Sequence, residues 1–116
     1  MDKNEKVSVV LKALDSKKAQ DIKTLMISEM TTMTECFIIA TGISTPHVRT
    51  LSDEVEDRMT QAGEEPLHIE GYSSANWIVL DYSDVVVHIF SKESREFYKL
   101  ERLWNKETAK EIADDE

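Results

Sequence analysis

Apolar residues recur along this chain with two periods, and the period changes where glycine, proline or hydroxyl residues intervene. From Glu5 to about Ser16, Val7, Val10, Leu11 and Leu14 fall at i, i+3, i+4 and i+7, one stripe of an amphipathic helix. Ala19 to Ile22 follows neither period. Thr24 to Ser28 alternates, with Leu25 and Ile27 on one side, and predicts a short strand. Glu29 to Glu35 is a polar connection rich in Thr and Met. Cys36 to Thr41 (CFIIAT) is a continuous apolar run too short for a helix, which predicts a central strand buried on both faces. Thr45 and Pro46 then open a second helix: a hydroxyl at the N-cap, and a proline whose missing N–H costs nothing there. Its stripe is Val48, Leu51, Val55, Met59 and Ala62. Gly63 supplies a left-handed stop, and Pro66 forbids continuation. Leu67 to Glu70 is the next strand.

Asn76 to Phe90 (NWIVLDYSDVVVHIF) reads as an antiparallel hairpin, Asn76 to Tyr82 against Val85 to Ser91, joined by a tight polar turn at Tyr82-Ser83-Asp84. Glu93 to Leu103 is helical, with Phe97, Leu100, Leu103 and Trp104 at helical spacing. Strand, helix, strand from Cys36 to Glu70 predicts a βαβ crossover with parallel strands. The fold class expected is α/β: a mixed sheet of about five strands, one βαβ crossover, a C-terminal antiparallel hairpin, and helices packed on the sheet. Residues 1–105 form one domain in this reading, and 106–116 an acidic tail.

Composition narrows the function. At 116 residues the chain suits a single core without staples. No apolar run approaches the roughly 20 residues that span a bilayer. The N-terminus has no apolar signal core, and a lone Cys36 excludes an internal disulfide, so a cytoplasmic location is expected. A net charge of -9 opposes direct nucleic-acid recognition and binding to anionic membranes. It favours a basic partner, and ribosomal proteins are the most abundant of those. The plainer reading is that acidity serves solubility.

Candidate chemistry is sparse. Gly42, Gly63 and Gly71 lie far apart, so no Gly-rich phosphate loop exists. Thr41-Gly42-Ile43-Ser44 before a helix could hold an anion, but most strand-to-helix turns look alike. His47, His68 and His88 are scattered over a helix start and two strands, which predicts no metal site. His88, inside an apolar strand, reads as a hydrogen-bonded structural histidine. Cys36 reads as a buried small hydrophobe. Asp81, Asp84 and Glu70 could gather at one end of the sheet, and a nucleotidyltransferase-like, metal-dependent enzyme is the alternative they allow. Two-metal transferases place two carboxylates at alternate positions of one strand, whereas Trp77, Val79 and Asp81 supply only one. Asp at a hairpin turn more commonly bonds its own backbone.

Several segments together resemble one family. They are Leu14 to Ile22, Cys36 to Gly42 with Ser44 and His47-Val48, and Glu70-Gly71. Trp77 to Tyr82, Asp84 to Phe90, and Arg95 to Trp104 (REFYKLERLW) complete the set. In this order and spacing they resemble the bacterial ribosomal silencing factors, the Iojap family, over Val7 to Trp104. The resemblance implies a nucleotidyltransferase-like mixed α/β fold without the active site, no enzyme activity and no cofactor. It also implies a cytoplasmic protein, homodimeric when free. Such a protein binds the large ribosomal subunit at its universally shared protein numbered fourteen and blocks small-subunit joining, which represses translation when nutrients are scarce.

A binding face can be placed on the sequence beside this. Alternation puts Trp77, Val79 and Asp81 on one side of a strand: an indole anchor, an aliphatic and an acid at the rim. Tyr98, Glu101 and Arg102 on the following helix could extend it. Periodicity alone instead makes Trp77 the packing between helix and sheet, since tryptophan is mostly buried. Phe97, Leu100 and Leu103 are expected in the core.

Overall fold

The computed structural model describes the backbone of residues 1–28 and 34–98, and the side chains of residues 1–26 and 36–95. The elements run α1 (Lys3–Ser16), β1 (Gln20–Ser28), β2 (Thr34–Gly42), α2 (Thr45–Gln61), β3 (His68–Glu70), β4 (Trp77–Asp81), β5 (Val85–Ser91) and α3 (Lys92–Tyr98). They form one mixed sheet of five strands in the order β1-β2-β5-β4-β3.

The hydrophobic pattern explains this order. β2 and β5 are the two continuously apolar strands, and they pair with each other, parallel, at the centre. β5 is buried at six of its seven positions, so it needs cover on both faces and a neighbour on both edges. β3 has only three residues and is mostly exposed, which suits an edge. The crossover from β2 through α2 to β3 joins strands that run in the same sense, but they are not neighbours: β5 and β4 lie between them. The β4–β5 hairpin has inserted itself into the crossover.

Several element boundaries differ from the sequence expectations by a residue or more, β2 starting at Thr34, β3 at His68 and β4 at Trp77, and three other differences have a local cause. α1 begins at Lys3, because Asp2 and Glu5 form a reciprocal capping box: the Glu5 N–H donates to Asp2 Oδ1 (2.8 Å) and the Asp2 N–H to Glu5 Oε1 (3.1 Å). β1 reaches back to Gln20 across a bulge, with Asp21 at φ 47° and a register shift between Gln20 and Lys23. The bulge is what disrupts the period there. The N-cap of α2 is Ser44, not Thr45: Ser44 is extended and its Oγ accepts from the His47 N–H (3.2 Å). Proline is tolerated anywhere in the first turn, so Pro46 alone does not settle which hydroxyl caps.

The end of α2 follows the glycine signal. Gly63 sits at φ 93°, its N–H donates to the Thr60 carbonyl (3.0 Å), and the Glu64 N–H reaches back to Met59 (2.9 Å). That is a Schellman closure. Val48, Leu51, Val55 and Met59 are buried as expected, whereas Ala62 is the exposed C-cap.

α1 and α2 pack on one face of the sheet. The main core joins Val10, Ala13 and Leu14 of α1 to Leu51, Val55 and Met59 of α2, and both to Ile38, Ile78, Leu80, Val87 and Ile89 of the strands. One member of the α1 face is polar. Lys6 is buried, and its Nζ donates to the Tyr82 carbonyl (3.0 Å) and Asp84 Oδ1 (2.9 Å), with Glu64 at 3.7 Å. It ties the first helix to the hairpin turn.

Candidate binding face

The other face of the sheet can be laid out from strand register alone. One row runs Leu25, Phe37, Val86, Asp81, His68 across β1, β2, β5, β4 and β3. The next runs Lys23, Ile39, His88, Val79, Glu70, and the third Gln20, Thr41, Phe90, Trp77. Leu25, Phe37, Ile39 and Phe90 form a second buried cluster, with Trp77 and Val86 packed at its margin. The face is apolar and aromatic at its centre and turns polar towards β3.

Trp77, Val79 and Asp81 lie together on this face, each half-buried, while the intervening Ile78 and Leu80 are buried against the helices. The alternation expected of β4 is therefore present. Trp77 lies on the face of the sheet opposite α1 and α2. Its indole stacks on Phe90, its direct partner across the hairpin, with ring centroids 5.0 Å apart. Its Nε1–H donates to His88 Nδ1 at 3.1 Å. His88 in turn lies against Phe37, with centroids 4.7 Å apart. Because Nδ1 accepts, the neutral ring carries its proton on Nε2, an atom that is buried and has no hydrogen-bond partner among the described residues. Burial lowers the His88 pKa to about 4, with a small opposing pull from Asp81.

Asp81 does the work of a turn residue: its Oδ1 accepts from the Ser83 N–H (2.8 Å), and Ser83 takes a positive φ of 78°. Its other oxygen lies 3.6 Å from His68 Nε2, and Glu70 lies 3.7 Å from the same nitrogen. Asp84 points away, to Lys6 on the helix side. Asp81 and Glu70 thus share a face that Asp84 does not join. No three His, Cys, Asp or Glu side chains are grouped to hold a metal among the described residues.

The turn before α2 has its donors engaged internally. The Ile43 N–H donates to His47 Nδ1 (2.9 Å), and the same ring reaches the Lys17 carbonyl through Nε2 (2.8 Å). With the Ser44 cap, this leaves two donors of the supposed anion site already paired. Cys36 is buried, and burial raises its thiol pKa, as suits a packed small hydrophobe.

α3 starts against this same face. Arg95 Nη1 donates to Thr41 Oγ1 (2.5 Å), and Ser91 Oγ accepts from the Ser94 N–H (3.3 Å). The Tyr98 side chain, Glu101 and Arg102 lie outside the described residues, as do the side chain of Phe97, residues Leu100 and Leu103, and 106–116. Sequence reasoning named His68 only as one of three scattered histidines and Glu70 only as a possible catalytic acid, and it missed the Trp77–His88 bond. Register brings all of them to one face, and register is not written in any single strand. No helix among the described residues is long and apolar enough to cross a membrane.

Comparison with known proteins agrees with this architecture. The family model described as ribosomal silencing factor during starvation matches residues 1–116. A ribosomal silencing factor from Halalkalibacterium halodurans is 34% identical over 104 residues, covering 90% of this chain and 89% of that protein. A crystal structure of a Chromobacterium violaceum protein superposes with a TM-score of 0.85 at 32% identity, covering 95% of this chain and 92% of the other. A mouse protein named for mitochondrial assembly of the ribosomal large subunit is 26% identical over 101 residues, covering 84% of this chain and 44% of its own length. The chain belongs to the ribosomal silencing factor family.

Proposed function

We propose that this protein binds the large ribosomal subunit through the face that carries Trp77, Val79 and Asp81, and blocks joining of the small subunit by occupying the contact. The site on the subunit is the basic, universally shared protein numbered fourteen. The protein works in the cytoplasm as a single domain of residues 1–105 with an acidic tail, homodimeric when free, and represses translation under nutrient limitation. It acts by occupancy and uses no cofactor. Tyr98, Glu101 and Arg102 extend the contact along and beyond α3.

The observation that carries this reading is the half-buried β4 column of Trp77, Val79 and Asp81, with Glu70 of β3 paired to Val79, in a chain of this family. An apolar anchor with a charged rim is how a small interface concentrates its affinity. Asp81 and Glu70 give that rim the sign that suits a basic partner. Trp77→Ala removes the anchor and should weaken binding to purified large subunits by about 2 kcal/mol, roughly thirtyfold. Co-sedimentation reads this directly, and the same variant should restore joining of small subunits. Equal co-sedimentation of the variant and the parent would reject the anchor.

A further inference from the structure

His88 is a buried polar ring among the aromatic side chains of the docking face, and nothing about core packing asks for it. Its neighbours in the rows are Ile39 on β2 and Val79 on β4, and its ring lies against Phe37. Its Nε2–H is sealed from water with no acceptor among the described residues, a desolvation cost that an apolar side chain of similar size would avoid. Among the described residues, the ring's one hydrogen bond is the one accepted by Nδ1 from the Trp77 indole.

We propose that His88 is a positioning residue: it holds the Trp77 indole flat over Phe90, in the orientation that the docking face presents to its partner. The assignment rests on the docking reading above. Two contacts orient the indole, and a third packs on the group that accepts its N–H. Phe90 lies beneath it at 5.0 Å, with the planes within 26° of parallel. His88 Nδ1 fixes its N–H end at 3.1 Å. Phe37 packs against the imidazole, with ring centroids 4.7 Å apart, which restricts the acceptor's movement. A side chain ordered before binding loses less rotamer entropy on binding. The indole N–H is also consumed inside the protein. The partner therefore meets Trp77 through its carbon ring, and needs an apolar depression there rather than a hydrogen-bond acceptor.

A binding cycle with purified large subunits tests this. His88→Phe removes the acceptor and keeps the ring; it should weaken binding about tenfold. His88→Gln places an amide oxygen within reach of the indole and should recover most of that loss. In a Trp77→Phe background there is no indole N–H to hold, so adding His88→Phe should change affinity less than twofold. The indole N–H resonance of Trp77 in an amide-correlated NMR spectrum should move towards the solvent-exposed position in His88→Phe and return in His88→Gln. His88→Leu gives the same contrast should the phenylalanine fail to fold. Full binding by folded His88→Phe and His88→Leu, or an equal loss in both Trp77 backgrounds, would overturn the positioning role. Unchanged binding by Trp77→Ala would overturn the docking reading and this one with it. Weakened Trp77→Ala beside full-strength His88→Phe would overturn this one alone.

Discussion

At the scale of single residues, His88 couples the aromatic face to pH. Its pKa in the folded chain is about 4, against an ordinary 6.5. Between those values the unfolded chain binds a proton that the folded chain refuses. Stability is therefore full above about pH 6.5 and falls as the pH drops towards 4, by on the order of 3 kcal/mol for this group. Below 4 both states are protonated and His88 adds nothing further. Carboxylates elsewhere also lose stability in acid, so the informative quantity is a difference. Urea midpoints taken between pH 7 and pH 4 should fall more steeply for the parent than for His88→Phe, and equal slopes would contradict the buried neutral ring. Trp77, Val79 and Asp81 were legible as one face because strand alternation depends only on the strand itself. The bond from Trp77 to His88 was not, since the two residues lie 11 positions apart and meet only through hairpin register. Lys6 was hidden for a similar reason: a lysine before an apolar stripe reads as its boundary, and its partners are 76 and 78 residues away.

Among the elements, two glycines with the same backbone sign do different things. Gly63 has φ 93°, and a Cβ there would meet nothing within 4 Å. Gly71 has φ 85°, and a Cβ there would lie 2.1 Å from the Trp77 carbonyl oxygen. Gly63→Ala should thus cost only the left-handed backbone term, about 1 kcal/mol. Gly71→Ala adds a backbone collision and should cost about 3 kcal/mol. It also pushes on the first residue of β4, so it should weaken large-subunit binding beyond what the lost stability explains. Urea unfolding of the two variants provides the ranking, and equal costs would refute the close approach. Element types were largely readable because the β2, β4 and β5 patterns and the α2 stripe are strong. Boundaries were less so where a local device competes with the pattern: the β1 bulge at Asp21, the capping box at Asp2, and the choice between Ser44 and Thr45.

For the whole molecule, the sheet order was the part least visible in the chain. A helix between two strands predicts a crossover, but not that a hairpin enters it; only the need of β5 for cover on both edges explains the insertion. The charge is visible from the start, and its consequence depends on the partner. A net charge of -9 attracts an isolated basic ribosomal protein but is repelled by the rRNA that surrounds it in the subunit. Screening acts on both, since the Debye length shrinks from roughly 10 Å at 0.1 M salt to 3 Å at 1 M. Association with the isolated basic protein should slow about tenfold or more across that range, because only attraction is being screened. With intact large subunits the loss of short-range attraction is offset by the loss of long-range repulsion, so the on-rate should change much less. Asp81→Asn should flatten the first dependence and leave dissociation nearly unchanged, as expected of a rim charge. Stopped-flow measurements on the two targets separate these cases. An equally steep decline with both would mean that local charge alone steers docking. A flat response with the isolated protein would remove the acidic rim from the account of binding.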